Sequence, residues 1–155
     1  MAEHETDPQA LAEACAAAMW RTDPASQALG MQIERIAPGE ATLSMTATEV
    51  MGNGHGTLHG GYIFTLADSA FAFACNTYDV RTVAQHCSVS FLRPGIVGER
   101  LTATAREVAR TGRTGIYDIR VARSDGTVVA EFRGHSRSLG QPILEEDDTM
   151  TGSPT

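Results

Sequence analysis

The stretch from Tyr62 to Tyr78 constrains this chain more than any other segment. It is rich in Ala, Leu and Phe and contains neither Pro nor Gly, so it reads as a helix. It is apolar nearly all round, and such a helix has to be buried on most sides. A curved antiparallel sheet can cover one side. A second copy of the chain is the simplest cover for the rest.

The remaining segments supply that sheet. Met31 to Ile36 alternates weakly, and Ala41 to Thr48 sets Leu43, Met45 and Ala47 against Thr42, Ser44, Thr46 and Thr48. Beyond Val80 the pattern predicts four strands: Val83 to Phe91, Arg100 to Ala109, Gly115 to Arg123 and Thr127 to Ser138. The breaks between them are Pro94-Gly95, Thr111-Gly112 and Asp125-Gly126. Asp7 to Trp20 reads as a short amphipathic helix, with Pro24 and Gly30 bracketing its exit. The expected class is α+β, a long central helix wrapped by a curved antiparallel sheet of about six strands. Three regions follow: an N-terminal helical segment (1–28), one domain (29–140), and a disordered acidic tail (141–155).

Charge excludes some partners. The 155 residues carry a net charge of −7, which argues against nucleic acid. Lysine is absent, and residues 93–137 hold nine arginines against five acids. That local excess suits a phosphorylated ligand, since guanidinium presents a planar fork to phosphate; a solvated sheet face explains it equally well. No apolar run approaches the ~18 residues of a membrane span. The start of the chain carries Glu3, Glu5 and Asp7, unlike the basic start of a secretory signal, so a cytoplasmic location is expected. Cys15, Cys75 and Cys87 are too few and too widely spaced for a disulfide framework or a zinc ribbon.

Asp68 stands out. Its neighbours at helical spacing are Phe64, Thr65, Phe71 and Ala72, and no basic residue lies between Gly60 and Val80. An ionised carboxylate on such a surface is costly unless paired, so it either meets a partner from elsewhere or is kept for function. Just ahead of the helix runs a glycine-rich stretch, Gly52 to Gly61. Backbone amides at a helix start carry partial positive charge, and the Gly60-Gly61 pair lets a ligand come close. Such a site suits an anion or a carbonyl oxygen gaining charge. The phosphate-loop pattern needs a Lys that this chain lacks. His55 and His59 are four apart, but in a glycine-rich loop, which makes a metal site a weak rival; no metal and no cofactor is expected. Gly-x-Ser-x-Gly is absent, and Cys75 sits among alanines where a thiol stays protonated. Gly60 and Asp68 lie eight residues apart, ~12 Å along a helix, too far to serve one carbonyl. Two such helices antiparallel across a dimer axis would bring each helix start to the partner's carboxylate.

The run His59-Gly60-Gly61-Tyr62-Ile63-Phe64-Thr65-Leu66-Ala67-Asp68-Ser69-Ala70-Phe71, with Ala74-Cys75-Asn76, resembles the core motif of the phenylacetate-degradation thioesterases (PaaI family) of the hotdog superfamily. Phe91-Leu92-Arg93-Pro94-Gly95 and Phe132-Arg133-Gly134 resemble two further segments of that family. The similarity covers roughly residues 29–140 in order. It implies a hotdog domain, dimers pairing into homotetramers with shared active sites, and hydrolysis of aryl- or arylacetyl-CoA thioesters. The resemblance puts the catalytic carboxylate at Asp68 and the oxyanion amide at Gly60 of the other subunit, with Gly61 beside it. It puts the orienting polar residue at Asn53 and the loop-holding histidine at His59. A hydroxyl that relatives carry on the following strand falls on Ala84 here. Tyr62, Phe64 and Leu66 are candidate walls for the acyl group. Arg93, Arg113 and Arg133 are candidates for the CoA phosphates. Three other readings stand beside this one: a hotdog enoyl-CoA hydratase with His59 or His86 joining Asp68, a non-catalytic acyl-CoA-binding protein, and an assembly protein whose helix is only an interface.

Overall fold

The computed structural model describes residues 6–145. Among these residues six strands form one antiparallel sheet: β1 (Gln32–Ala37), β2 (Glu40–Thr46), β3 (Thr82–Phe91), β4 (Arg100–Thr111), β5 (Thr114–Arg123) and β6 (Val128–Ser138). Their order across the sheet is β1-β2-β4-β5-β6-β3, so β1 and β3 are the edges. Three α-helices accompany them: α1 (Pro8–Arg21), α2 (Pro24–Ala28) and α3 (Gly60–Cys75). A single 3-10 turn, Glu49–Met51, leads into the glycine-rich loop.

α3 packs across one face of the sheet, touching all six strands. Its Leu66, Ala67, Ala70, Phe71, Phe73 and Ala74 are buried against alternate strand residues such as Leu43, Ala103, Ile119 and Phe132. The helix passes close enough to β6 that a Cβ on Gly134 would meet the Phe71 ring at 2.7 Å. Small residues on the strands (Ala41, Ala103, Ala105, Ala130) give the long helix its room.

Three sequence expectations need correction. The long helix begins at Gly60 rather than Tyr62, because His59 supplies its N-cap, and it stops at Cys75. Pro24 does not merely break the first helix. It opens the short α2, with Asp23 as N-cap accepting from the Ser26 N–H at 3.0 Å, and the Ser26 hydroxyl lies 2.9 Å from that of Ser69 on α3. The tail expected to be disordered from 141 is bound as far as the structure describes it. Asp79 accepts from the N–H groups of Ile143 (2.9 Å) and Leu144 (2.8 Å), and Arg81 donates its N–H to the Gln141 carbonyl at 2.7 Å. The rest of that tail, 146–155, lies outside the described residues.

Asn76 staples the end of α3 to the start of β3. Buried to 5 % exposure, it donates to the carbonyls of Ala72 (2.8 Å) and Thr82 (2.9 Å) and accepts from the Thr82 N–H at 2.9 Å. Asn76→Ala strands those groups and should cost about 2 kcal/mol, read as a lower midpoint in thermal or denaturant unfolding. Among the described residues no helix is long and apolar enough to cross a membrane.

Candidate active site

His59 caps α3 with its ring. Nδ1 accepts the Gly61 N–H at 2.9 Å, so the neutral ring carries its proton on Nε2. The consequence falls on the neighbouring amide. Gly61, expected beside the oxyanion amide, has its N–H taken by the cap. The Gly60 N–H has no partner among the described residues, and it stands at the positive end of a 16-residue helix.

The glycine pair has a packing cause. A Cβ on Gly61 would sit 3.0 Å from His59 Nδ1, and one on Gly60 would sit 3.2 Å from the Phe91 ring. The segment Phe91 to Gly95 therefore seats directly on the helix start. Gly95 accepts the Leu58 N–H at 2.9 Å and leaves no room for a Cβ against Leu58. Between these segments lies a cleft of about 340 Å³, bordered by Thr57, Leu58, Gly60, Phe91 and Arg93. Phe91 and Leu92 are each 53 % exposed beside it, and the sheet edge formed by β3 has no neighbouring strand among the described residues.

Asn53 is held inside its own loop. Its Oδ1 accepts from the N–H groups of His55 (2.8 Å) and Thr57 (3.2 Å), and its Nδ2 donates to Thr57 Oγ1 at 3.0 Å. The backbone closes the same turn, with the Asn53 N–H donating to the Thr57 carbonyl at 2.8 Å. Thr57 had no role in the sequence reading. The only signal for it is its place in an Asn-to-Thr i, i+4 pair within a glycine-rich turn.

Asp68 lies midway along α3, half-buried, and its carboxylate has no hydrogen bond or ion pair among the described residues. Burial alone pushes its pKa up from the usual 3.8. The Cys75 thiol is pushed up to about 12, by burial first and to a lesser degree by the Asp68 charge; Cys87 is raised for the same two reasons. Both thiols stay protonated and are poor nucleophiles.

The other candidates divide between this region and more distant parts of the sheet. Leu66 is fully buried against the sheet and does not line an open surface. Tyr62 and Phe64 are half-exposed, Tyr62 edge-on to His59 (6.2 Å between centroids) and Phe64 against Phe132 (5.2 Å). Arg133 forms a two-pronged pair with Asp118 (2.7 and 2.9 Å), which occupies its fork. Arg113 sits in the β4–β5 turn and borders a different cavity, with Cys75 and Ser136. Of the three arginines only Arg93 borders the Gly60 cleft. His86 stacks edge-on with His135 (5.5 Å), its direct cross-strand partner, on the sheet face opposite the inward Cys87.

Comparison with known proteins places this geometry in context. A family model described as thioesterase superfamily matches residues 55–130. The acyl-coenzyme A thioesterase PaaI of Escherichia coli is 44 % identical over 129 residues, 83 % of this chain and 92 % of that protein. A putative esterase of Deinococcus radiodurans is 44 % identical over 111 residues, 70 % of this chain and 75 % of that protein. The solved structure of the E. coli PaaI protein from the phenylacetic acid degradation operon superposes with a TM-score of 0.86 at 42 % identity, covering 88 % of this chain and 99 % of that one.

Proposed function

This chain belongs to the thioesterase superfamily and has its hotdog fold, and on that premise we propose that it hydrolyses aryl-type acyl-CoA thioesters, phenylacetyl-CoA foremost, to the free acid and CoA. One observation carries the reading: among the described residues, an amide without a partner at the start of α3, beside an amide already capped, shares its helix with a carboxylate without a partner.

The Gly60 N–H and the helix dipole polarise the thioester carbonyl. Asp68 of the other chain acts on the carbonyl carbon in one of two ways. As a base it takes a proton from water while the water oxygen bonds to that carbon; the C–S bond then breaks and the proton passes to the leaving CoA sulfur. As a nucleophile it displaces CoA to form an anhydride, which water then opens. Single turnover in ¹⁸O water separates the routes, since only the anhydride route exchanges label with the Asp68 carboxylate. Asn53 offers its remaining Nδ2–H to the carbonyl or the water. Tyr62 and Phe64 form the acyl wall, and Arg93 at the cleft rim meets a CoA phosphate.

The site needs two chains. β3 is an open edge, and Val83, Phe91, Leu92 and Leu139 around it are 46–53 % exposed, an apolar border suited to a second copy. Antiparallel pairing of β3 with its equivalent sets the two α3 helices side by side, Asp68 of each facing Gly60 of the other. The family resemblance extends this to a pair of dimers. Three free cysteines and a CoA substrate suit the cytoplasm. The hydratase reading is not favoured: His59 spends Nδ1 on the cap and His86 is stacked on the other sheet face.

Thiol release from phenylacetyl-CoA, followed with a thiol-reactive dye, tests the reading; no release from any aryl-CoA ester would overturn it. The shared site has its own test. Asp68→Asn and Gly60→Pro are each inactive, but unfolded and refolded together they regain about a quarter of wild-type activity, because mixed dimers hold one intact site. A mixture no more active than its parts would place the whole site in one chain.

A further inference from the structure

We propose that Thr57 is a positioning residue of the reaction: its hydroxyl aims the free Nδ2–H of Asn53 at the reacting carbonyl or water. The proposal rests on the thioesterase reading above and goes beyond it to a residue outside the motif. The argument starts from the orientation of one carboxamide. Asn53 Oδ1 receives two backbone N–H groups, from His55 at 2.8 Å and Thr57 at 3.2 Å, and only an oxygen can accept both. The nitrogen end is therefore fixed by elimination. The two backbone bonds at the oxygen would by themselves leave the amide free to rock, because the terminal torsion of Asn has a broad minimum. Thr57 Oγ1 removes that freedom by accepting one Nδ2 hydrogen at 3.0 Å and donating its own to Oδ1 at 3.3 Å. The second Nδ2 hydrogen has no partner among the described residues.

Thr57 is itself rigidly placed. Its carbonyl accepts the Asn53 N–H at 2.8 Å, and Leu58 next to it forms a bridge with Gly52 and donates to Gly95 at 2.9 Å. Being β-branched, Thr57 has a restricted χ1, so the hydroxyl direction follows from the backbone. The residue also borders the cleft that holds the Gly60 amide, so its hydroxyl ties the Asn53 carboxamide to the wall of that cleft.

The test is a kinetic series on phenylacetyl-CoA with Thr57→Val, Thr57→Ser, Asn53→Ala and the double variant Asn53→Ala/Thr57→Val. Valine keeps the branch and removes the hydroxyl. Thr57→Val should lower kcat roughly 10-fold or more with KM little changed, since a misaimed group is felt in the chemical step. Thr57→Ser should recover most of the loss. In the double variant the valine should add nothing to the loss from Asn53→Ala. Unchanged kcat in Thr57→Val, equal losses with Ser and Val, or losses that multiply in the double variant would each overturn the proposal. If the valine variant fails to fold, Thr57→Ala takes its place. Asp68→Asn is run alongside. If it is inactive while Thr57→Val is fully active, the Thr57 role falls and the hydrolase reading stands; if it matches wild type, the reading itself falls.

Discussion

Asp68→Asn lowers phenylacetyl-CoA hydrolysis on the order of 10³-fold and, in the same protein, raises the melting temperature. Both effects come from one carboxylate that is half-buried with no partner among the described residues of its own chain. Asparagine keeps the size and hydrogen-bonding shape but can neither take a proton from water nor attack a carbonyl. The stability gain follows from the direction of the pKa shift. Burial holds the folded-state value above the usual 3.8, so the folded chain binds this proton more tightly than the unfolded one. The group's stabilisation is complete below the unfolded value and is lost as pH rises through the folded one. At neutral pH the ionised Asp68 therefore weighs against the fold, and the amide removes that cost. The same shift predicts the acid limb of kcat/KM. Activity needs the ionised form, so it should fall, as pH is lowered, at a value above 3.8. A variant both slower and less stable than wild type would mean that Asp68 is structural. A variant as fast as wild type would remove it from the chemistry.

The second large effect separates an amide hydrogen from the residue that carries it. Gly60→Pro should be about 10²- to 10³-fold slower than Gly60→Ala, the usual cost of losing one oxyanion donor. Both substitutions place a Cβ near the Phe91 ring, and that ring is half-exposed and can turn aside. Only proline removes the N–H. The helix tolerates it, because Gly60 is the first helical position, where no intrahelical bond is lost. Gly60 is not among the left-handed glycines, and His59 with ψ 131° has the extended backbone that precedes proline. Free CoA has no carbonyl to meet the amide, so its binding should be alike in the two variants. Equal turnover by alanine and proline variants would show that the Gly60 amide plays no part in the reaction.

Much of the architecture was legible because it is a local property of the chain. Alternation placed all six strands within two residues of their ends, and the apolar run from Tyr62 marked the central helix. Asp68 was visible as a charge where helical spacing allows none. Asn53 and His59 are close in sequence to Gly60, and the structure sets them on the loop that leads into the first residue of α3.

What the sequence could not express is how hydrogen bonds and charges are spent between distant segments. The strand order β1-β2-β4-β5-β6-β3 places β3 at an open edge, and no periodicity encodes order. Arg133 and Arg93 look alike in sequence, but cross-strand register gives Arg133 to Asp118 and leaves Arg93 at the cleft. Gly60 and Gly61 are chemically identical neighbours. Only the folded loop turns the His59 ring onto one amide and leaves the other unspent. Periodicity reports which side of an element meets the core, so a single chain segment determines it. The partner of a given polar atom is chosen by whichever remote group packing brings within three ångströms, and that is decided by the tertiary structure.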